Sequence, residues 1–255
     1  LGLRPGQKVR LRYLIRAAAV KSANDAATAL GEAIEGSEAA FARRMNRTAK
    51  AMGMNRTTFK NAHGLTESGH LSTARDMTIL GRHLFYDFPD YYHLFARKTA
   101  AAGSKKVRNT NRRFLSNYRG ADGIKTGYTR AAGYNLVASA NRNGERIITT
   151  VFGGRSTTTR NAQVAKLMNL GFKKAPRNVK LQKPKPPSYI AIARAYPVIN
   201  LSKSLRPKIR PENNTDNNLI AVNEFKSDIL SALKLAQAED NSPENPSEEY
   251  TNISF

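Results

Sequence analysis

Residues 122–129 have the sequence DGIKTGYT, and residues 132–139 have the sequence AGYNLVAS. The two segments predict neighbouring strands, the first of them an edge strand that carries Lys125, Thr126 and Gly127. Such a strand suits an anionic ligand, because the ammonium group supplies positive charge, the hydroxyl donates a directed hydrogen bond and the glycine lets a ligand approach the backbone. Three common residues also occur together by chance, so the rest of the chain has to supply matching parts of a site.

A hairpin and a final helix are predicted around this segment. Residues 134–142 and 146–153 flank an Asn-Gly pair, which favours a two-residue hairpin turn. A helix is predicted over residues 156–170, with Gly171 as its C-terminal cap.

Helical spacing dominates the first part of the chain. In residues 9–20, apolar side chains recur at the i, i+3, i+4 and i+7 positions of one helix face. A turn-forming segment at residues 21–25 separates this helix from a second short one. Ser37 is predicted to cap a third helix that stops at Gly53, and Thr73 opens a fourth with capping-box spacing to an aspartate.

Two other segments lack such a period. Residues 54–71 are predicted to form a loop, and residues 96–120, which are basic and polar, a loop or a poor strand. Helices first, then antiparallel strands and a last helix predict an α+β fold in which helices pack on an antiparallel sheet.

The composition changes after the last predicted helix, so residues 1–174 are taken as the folded domain. Residues 175–218 are predicted to be a basic, proline-rich linker, residues 219–238 an isolated amphipathic helix, and residues 239–255 an acidic disordered tail. The acidic residues in and after that helix oppose an anionic membrane surface, so membrane contact is left open.

The charge of the chain favours an anionic partner. Its 255 residues include 42 Lys and Arg against 19 Asp and Glu, a net charge of +23. This field suits a nucleic acid, an acidic cell envelope or a polymer that bears carboxylates. The absence of cysteine excludes disulfides, thiolate catalysis and Cys-based zinc sites. No His, Asp or Glu cluster has metal-ligand spacing, and no cofactor is predicted.

Three motifs follow one another in an order that resembles a known enzyme family. They are Ser22-Ala23-Asn24 between two predicted helices, Lys125-Thr126-Gly127 on a strand, and Arg160 at the start of the last helix. This pattern resembles the penicillin-binding D-alanyl-D-alanine carboxypeptidases, serine peptidases of family S11 with a β-lactamase/transpeptidase-like fold. The sequence around each motif also resembles that of the family over residues 1–174, for example in LRPGQ at 3–7 and HGL at 63–65.

The resemblance implies a role for each matched residue in catalysis. Ser22 would relay a proton toward the leaving amine, and Asn24 would hydrogen-bond the substrate amide and the lysine of a Ser-x-x-Lys motif. Lys125 would keep the local field positive, which favours an anionic substrate and a deprotonated neighbour.

The same resemblance implies a substrate-binding strand. Thr126 would bind the terminal carboxylate of D-Ala-D-Ala, helped by Arg160, whose guanidinium fits a carboxylate bidentately. The backbone beyond Gly127, near Tyr128, would supply an N–H to the oxyanion hole. Many relatives carry His at the Tyr128 position, so only the backbone role is carried over. His63 is expected to pack its own loop.

The Ser-x-x-Lys nucleophile motif is missing from its expected place. The 21 residues before Ser22 contain no serine, and the one match to the motif, Ser231 to Lys234, lies in the predicted tail helix. We therefore expect an N-terminally truncated chain, without the N-terminal strands of the family's sheet, that is inactive alone. The full-length form would bind β-lactam antibiotics and act on peptidoglycan stem peptides in the bacterial periplasm or at the cell surface, with its signal peptide outside this chain.

Three alternatives belong to other classes. A non-catalytic protein could hold stem peptides on the retained strand without cleaving them. A nucleic-acid-binding protein rests on charge alone, and the sequence has no recognised motif for it. A class A β-lactamase requires an acidic deacylation element, and residues 54–71 contain only Glu67.

Overall fold

The computed structural model describes residues 1–176 and 181–187. These residues form seven α-helices and five strands, together with a π-helical turn over Ala17–Lys21 and a 3₁₀ turn over His93–Ala96. In chain order the elements are α1 (Leu11–Arg16), α2 (Asn24–Glu35), α3 (Glu38–Ala51), α4 (Ala74–Asp87), α5 (Pro89–Tyr92), β1 (Thr99–Ala102), β2 (Lys105–Arg108), α6 (Arg112–Asn117), β3 (Ala121–Thr129), β4 (Gly133–Arg142), β5 (Glu145–Gly154) and α7 (Thr157–Lys174).

The predicted antiparallel sheet is confirmed, with the order β3-β4-β5. β3 lies at one edge, as the first quoted segment predicts. The turn between β4 and β5 contains Asn143 and Gly144, both with positive φ, which is the conformation that an Asn-Gly hairpin favours.

Both faces of the sheet are covered by helices. Alternate residues of a strand point to opposite faces, and Leu136 and Ala138 of β4 pack with Val164 and Met168 of α7. Val137, between them, belongs to the core cluster on the side of α4 and α5. The sheet therefore holds the two helical layers at a fixed distance, with β3 exposed along its outer edge.

A close approach explains one glycine in α4. An added Cβ at Gly81 would lie 3.0 Å from the Ile124 side chain and 3.1 Å from that of Val137. The helix can press directly on the sheet because this position has no side chain.

The N-terminal helices form a second core with the β1–β2 hairpin. Leu14, Val20 and Ala26 pack against Ala100 and Val107. The prediction of a loop or poor strand for residues 96–120 is therefore wrong, since the segment contains this hairpin and α6. Its strands have only four residues each, TAAA and KKVR, so they are too short to show an alternating pattern in the sequence.

The predicted helix starts are confirmed by their caps. The hydroxyls of Ser37, Thr73 and Ser156 each accept a hydrogen bond from the backbone N–H three residues later. Gly171 does not cap α7, which continues to Lys174. An added Cβ at Gly171 would lie 3.0 Å from Ile147 of β5, so the glycine serves close packing inside the helix.

The predictions for residues 188–255, including the tail helix and the acidic tail, lie outside the described residues, as does most of the predicted linker. Among the described helices, none has both the length and the apolar character needed to cross a bilayer.

Candidate functional site

Ser22 stands at a break between two helices. The backbone widens into the π-helical turn after α1, and Ser22 ends it in the left-handed region with φ 62° and ψ 42°. A non-glycine residue in that region costs about 1–3 kcal/mol, so the surrounding structure must hold it there. The N–H of Ala23 donates to the carbonyl of Ala17 at 3.1 Å, and α2 begins at Asn24.

Lys125 on β3 meets the Ser22 hydroxyl. Its Nζ donates to Ser22 Oγ at 2.5 Å and to the carbonyl of Thr126 at 2.9 Å. Burial lowers the pKa of Lys125 to about 8, because the charged ammonium loses solvation. A lysine with this pKa is partly neutral near pH 8, so it can attract an anion or exchange a proton with Ser22.

Thr126 is tied to a residue that the sequence did not single out. Its hydroxyl lies 2.6 Å from that of Thr110, just before α6. The N–H of Thr110 donates to the carbonyl of Val20 in the π-helical turn, 3.2 Å away. Thr110 therefore joins the edge strand to the segment that ends at Ser22.

The asparagines on either side of Thr110 anchor it. The Asn109 amide donates to the carbonyl of Arg97 at 2.7 Å and accepts from the N–H of Asn111 at 2.7 Å. The Asn111 side-chain amide donates to the carbonyl of Gly123, a residue of β3, at 3.3 Å. In the sequence, the only sign of these contacts is the run Asn109-Thr110-Asn111 directly before α6.

Arg160 is buried beside the sheet, one turn into α7, with a residue exposure of 3%. Its guanidinium donates to the Asn161 side chain at 2.9 and 3.1 Å and to the carbonyl of Asn135 at 3.1 Å. Burial lowers the pKa of Arg160. Within the described residues Arg160 makes no hydrogen bond to Thr126, so the structure does not join these two predicted site residues directly.

The remaining predicted site residues, Gly127 and Tyr128 on β3 and Asn24 on α2, are exposed. Gly127 pairs with Asn135 across the sheet, and Tyr128 pairs with Tyr134. The Tyr128 side chain is exposed, at 57%, and its ring contacts that of Tyr134 at an angle of 37°, with centroids 4.4 Å apart. Asn24, the first residue of α2, is also exposed. Among the described residues, the hydrogen bonds of Lys125 Nζ go to Ser22 and Thr126 and not to these groups.

His63 packs its own loop. Its Nδ1 accepts from the N–H of Leu65 at 3.1 Å, and its Nε2 lies 3.6 Å from the Glu38 carboxylate. Within residues 1–176 and 181–187, no group of three or more His, Asp or Glu side chains is arranged to hold a metal ion.

A partly buried ion pair supports the strand that carries Lys125. Arg146 of β5 donates to Asp122 of β3, with N···O distances of 2.7 and 2.9 Å, and to the Ser139 hydroxyl at 2.6 Å. The guanidinium carbon of Arg146 lies 3.9 Å from the centroid of the Phe85 ring. These contacts fix the start of β3 to the middle of the sheet.

The chain is similar to proteins of one known family. A family model described as D-alanyl-D-alanine carboxypeptidase matches residues 1–156. The chain is 41% identical over 177 residues to D-alanyl-D-alanine carboxypeptidase DacF of Bacillus subtilis (strain 168), which covers 67% of this chain and 44% of the relative. The chain thus spans less than half the length of that curated relative.

The fold of the chain is also similar to solved structures. The crystal structure of the D-alanyl-D-alanine carboxypeptidase DacD from Francisella tularensis matches with a TM-score of 0.63 and 33% identity, covering 68% of this chain and 54% of that one. Penicillin-Binding Protein D2 from Listeria monocytogenes, in its cefotaxime-bound form, matches with a TM-score of 0.59 and 36% identity, covering 64% and 66%.

Proposed function

Because the chain belongs to the D-alanyl-D-alanine carboxypeptidase family of serine peptidases, we propose that the whole protein removes the terminal D-alanine from peptidoglycan stem peptides. The observation that carries the proposal is the hydrogen bond between Lys125 and Ser22, which are 103 residues apart in sequence. It joins two of the family's motifs into one site beside Thr126. The protein would act in cell-wall remodelling, in the bacterial periplasm or at the cell surface, and its full-length form would also bind β-lactams.

The proposed mechanism assigns carboxylate binding to the end of the site near α7. The Thr126 hydroxyl, held by Thr110, donates to the terminal carboxylate, and the Arg160 guanidinium adds positive charge from the neighbouring helix. The ammonium of Lys125 stabilises the same anion from a partly desolvated position.

Bond cleavage is proposed to proceed by acyl transfer. A serine nucleophile attacks the penultimate carbonyl and gives up its hydroxyl proton to the lysine of its Ser-x-x-Lys motif, which acts as the base. The backbone N–H near Tyr128 stabilises the oxyanion, and the amide C–N bond breaks. Ser22 passes a proton to the leaving amine and recovers one through Lys125, with which it shares a hydrogen bond. Asn24 holds the substrate amide. Water then releases the acyl group, so the net reaction is hydrolysis of one peptide bond.

A second candidate function is a stem-peptide-binding protein without catalysis. It is favoured by one observation, that Lys125 and Thr126, the two groups suited to an anionic ligand, lie together on β3. The sequence upstream of Leu1 separates the two functions, since an in-frame Ser-x-x-Lys motif there supports the enzyme and a genuine start site supports the binder.

The first prediction concerns stereospecific binding, which both candidates require. An N-acyl peptide ending in D-Ala-D-Ala is expected to bind the chain at least about tenfold more tightly than the same peptide ending in L-Ala-L-Ala, because the directed contacts of Thr126 fit one configuration. Isothermal titration calorimetry measures both affinities. Thr126→Val, which keeps the shape but loses the hydroxyl, should abolish the difference. Equal binding of the two peptides by the unmodified chain would contradict the proposal.

The second prediction concerns covalent labelling. The 255-residue chain is expected to form no adduct with a fluorescent penicillin, because its only Ser-x-x-Lys run begins at Ser231. The measurement is fluorescence that survives denaturing electrophoresis, with an intact penicillin-binding protein as the positive control. A stable adduct would show that a nucleophile is present, and Ser22→Ala and Ser231→Ala variants would then identify it.

A further inference from the structure

A strongly basic cavity adjoins the proposed carboxylate site. Its volume is about 800 Å³, and six of its ten lining residues are cationic. These six are Lys21, Lys105, Lys106, Arg108, Arg112 and Arg113. The other four are neutral, so no acidic side chain lines the cavity.

Most of these cations are not neutralised by the fold. Lys105 donates to the carbonyl of Leu1 at 3.3 Å, a neutral partner. Within the described residues, Lys21, Lys106, Arg108, Arg112 and Arg113 take part in no ion pair. A concave surface of one charge sign focuses its field and raises the local concentration of anions. The cavity is therefore built to attract negative charge.

The position of the cavity relates it to one end of the site. Thr110, which lines it, shares a hydrogen bond with Thr126. Lys21 directly precedes Ser22, and Thr157 lies three residues before Arg160 on α7. In the proposed mechanism, Thr126 and Arg160 hold the terminal carboxylate and Ser22 serves the leaving amine. Asn24 and Tyr128, which serve the acyl side, do not line the cavity.

The size of the cavity exceeds the need of the simplest leaving group. Sites of about 300–1,000 Å³ take ligands of drug size, whereas D-alanine has a methyl side chain and one carboxylate. A leaving residue with a longer, acidic side chain would fill more of the space and pair with the free cations.

We infer that this cavity is a leaving-group subsite that favours an acidic side chain on the terminal residue, on the amine side of the scissile bond. The inference rests on the proposed function and deepens it by naming a substrate preference. The chemistry is unchanged: the same amide C–N bond breaks, and the departing amine takes the same proton. The guanidinium groups of Arg112 and Arg113, at the start of α6, line the cavity and can each pair bidentately with a side-chain carboxylate.

Binding of three peptides tests the preference. They share one N-acyl-D-Ala segment and end in D-Glu, in its neutral isostere D-Gln, or in D-Ala. The D-Glu peptide is expected to bind about tenfold more tightly than the D-Gln peptide, because only its side chain carries charge. In the double variant Arg112→Gln/Arg113→Gln this ratio should fall to near one, while the affinity for the D-Ala peptide changes less than about twofold.

A matched variant controls for the overall charge. Arg43→Gln/Arg47→Gln removes two exposed arginines from α3, outside the cavity, and should keep the tenfold ratio. Equal affinities for the D-Glu and D-Gln peptides, or a ratio that survives the Arg112/Arg113 double variant, would overturn the inference. So would equally tight binding of a short single-stranded oligonucleotide at the same cations, which would indicate a general polyanion surface.

A fourth probe separates this inference from the proposed function. If the D-Ala peptide does not bind, the proposed function fails. N-acetyl-D-Glu-D-Glu, which lacks D-Ala, then tests the cavity alone: binding that weakens in the Arg112/Arg113 double variant supports the acidic subsite. Absence of binding overturns it.

Discussion

Replacing Lys125 with methionine is expected to weaken the binding of a D-Ala-D-Ala peptide by about thirtyfold. The change removes a buried ammonium group that donates to Ser22 and to the Thr126 carbonyl, and a hydrogen bond to a charged group contributes about 1.5–3 kcal/mol. Methionine fills a similar volume, so the fold should remain intact. Titration calorimetry gives the affinity, and circular dichroism checks the fold.

The pH dependence of binding gives the same test a second readout. The protonated form of Lys125 attracts the carboxylate, and its pKa is lowered to about 8. The affinity of the unmodified chain should therefore fall as the pH rises above about 8, by at most one order of magnitude per pH unit. Lys125→Met should lose this dependence. As a control, Lys166→Met replaces an exposed lysine on α7 and should keep both the affinity and the pH profile. An unchanged pH profile in the Lys125→Met variant would refute the role assigned to Lys125.

Replacing Asp122 with alanine is expected to lower the free energy of unfolding by about 2–3 kcal/mol. Arg146 would be left without its carboxylate partner while it remains largely covered by Phe85 and the sheet. Leaving one charge of a covered pair uncompensated costs more than the pair itself contributes, because the remaining charge keeps its desolvation penalty. Arg146 Nε is already buried without a hydrogen-bond partner among the described residues, so no spare contact compensates for the loss.

Urea unfolding measures this effect through the midpoint at constant slope. Glu145→Ala, at the start of β5, removes a half-exposed carboxylate and should change stability by less than about 0.5 kcal/mol. A double-mutant cycle with Arg146→Met should recover part of the loss, since the stranded charge is then gone. Strictly additive losses would show that Asp122 and Arg146 do not stabilise one another.

Local signals account for the elements that the sequence predicted correctly. Hydroxyls at Ser37, Thr73 and Ser156 satisfy the free N–H groups at helix starts, and this need depends on a few neighbouring residues. The Asn-Gly turn at residues 143–144 fixes the hairpin for the same reason, because both positions require positive φ.

The errors arose where distant contacts decide the conformation. The hairpin over residues 99–108 is stabilised by packing on α1, which lies some ninety residues earlier, and its four-residue strands leave almost no pattern. Gly171 resembles a helix cap in sequence, but Ile147 of β5 makes it an interior packing position. The local sequence around the hairpin does not show its contact with α1, and the local sequence around Gly171 does not show its contact with Ile147.

The sequence by itself determined the longer helices, the three-stranded antiparallel sheet and the chemistry of its edge: a lysine, a threonine and a glycine suited to an anion. Only the tertiary structure decided that Lys125 meets Ser22, that its pKa falls to about 8, and that Thr110 and a basic cavity adjoin Thr126. The reason is physical. Turns and caps depend on bonds within a few residues, whereas desolvation and the focusing of charge depend on which distant segments the fold brings together.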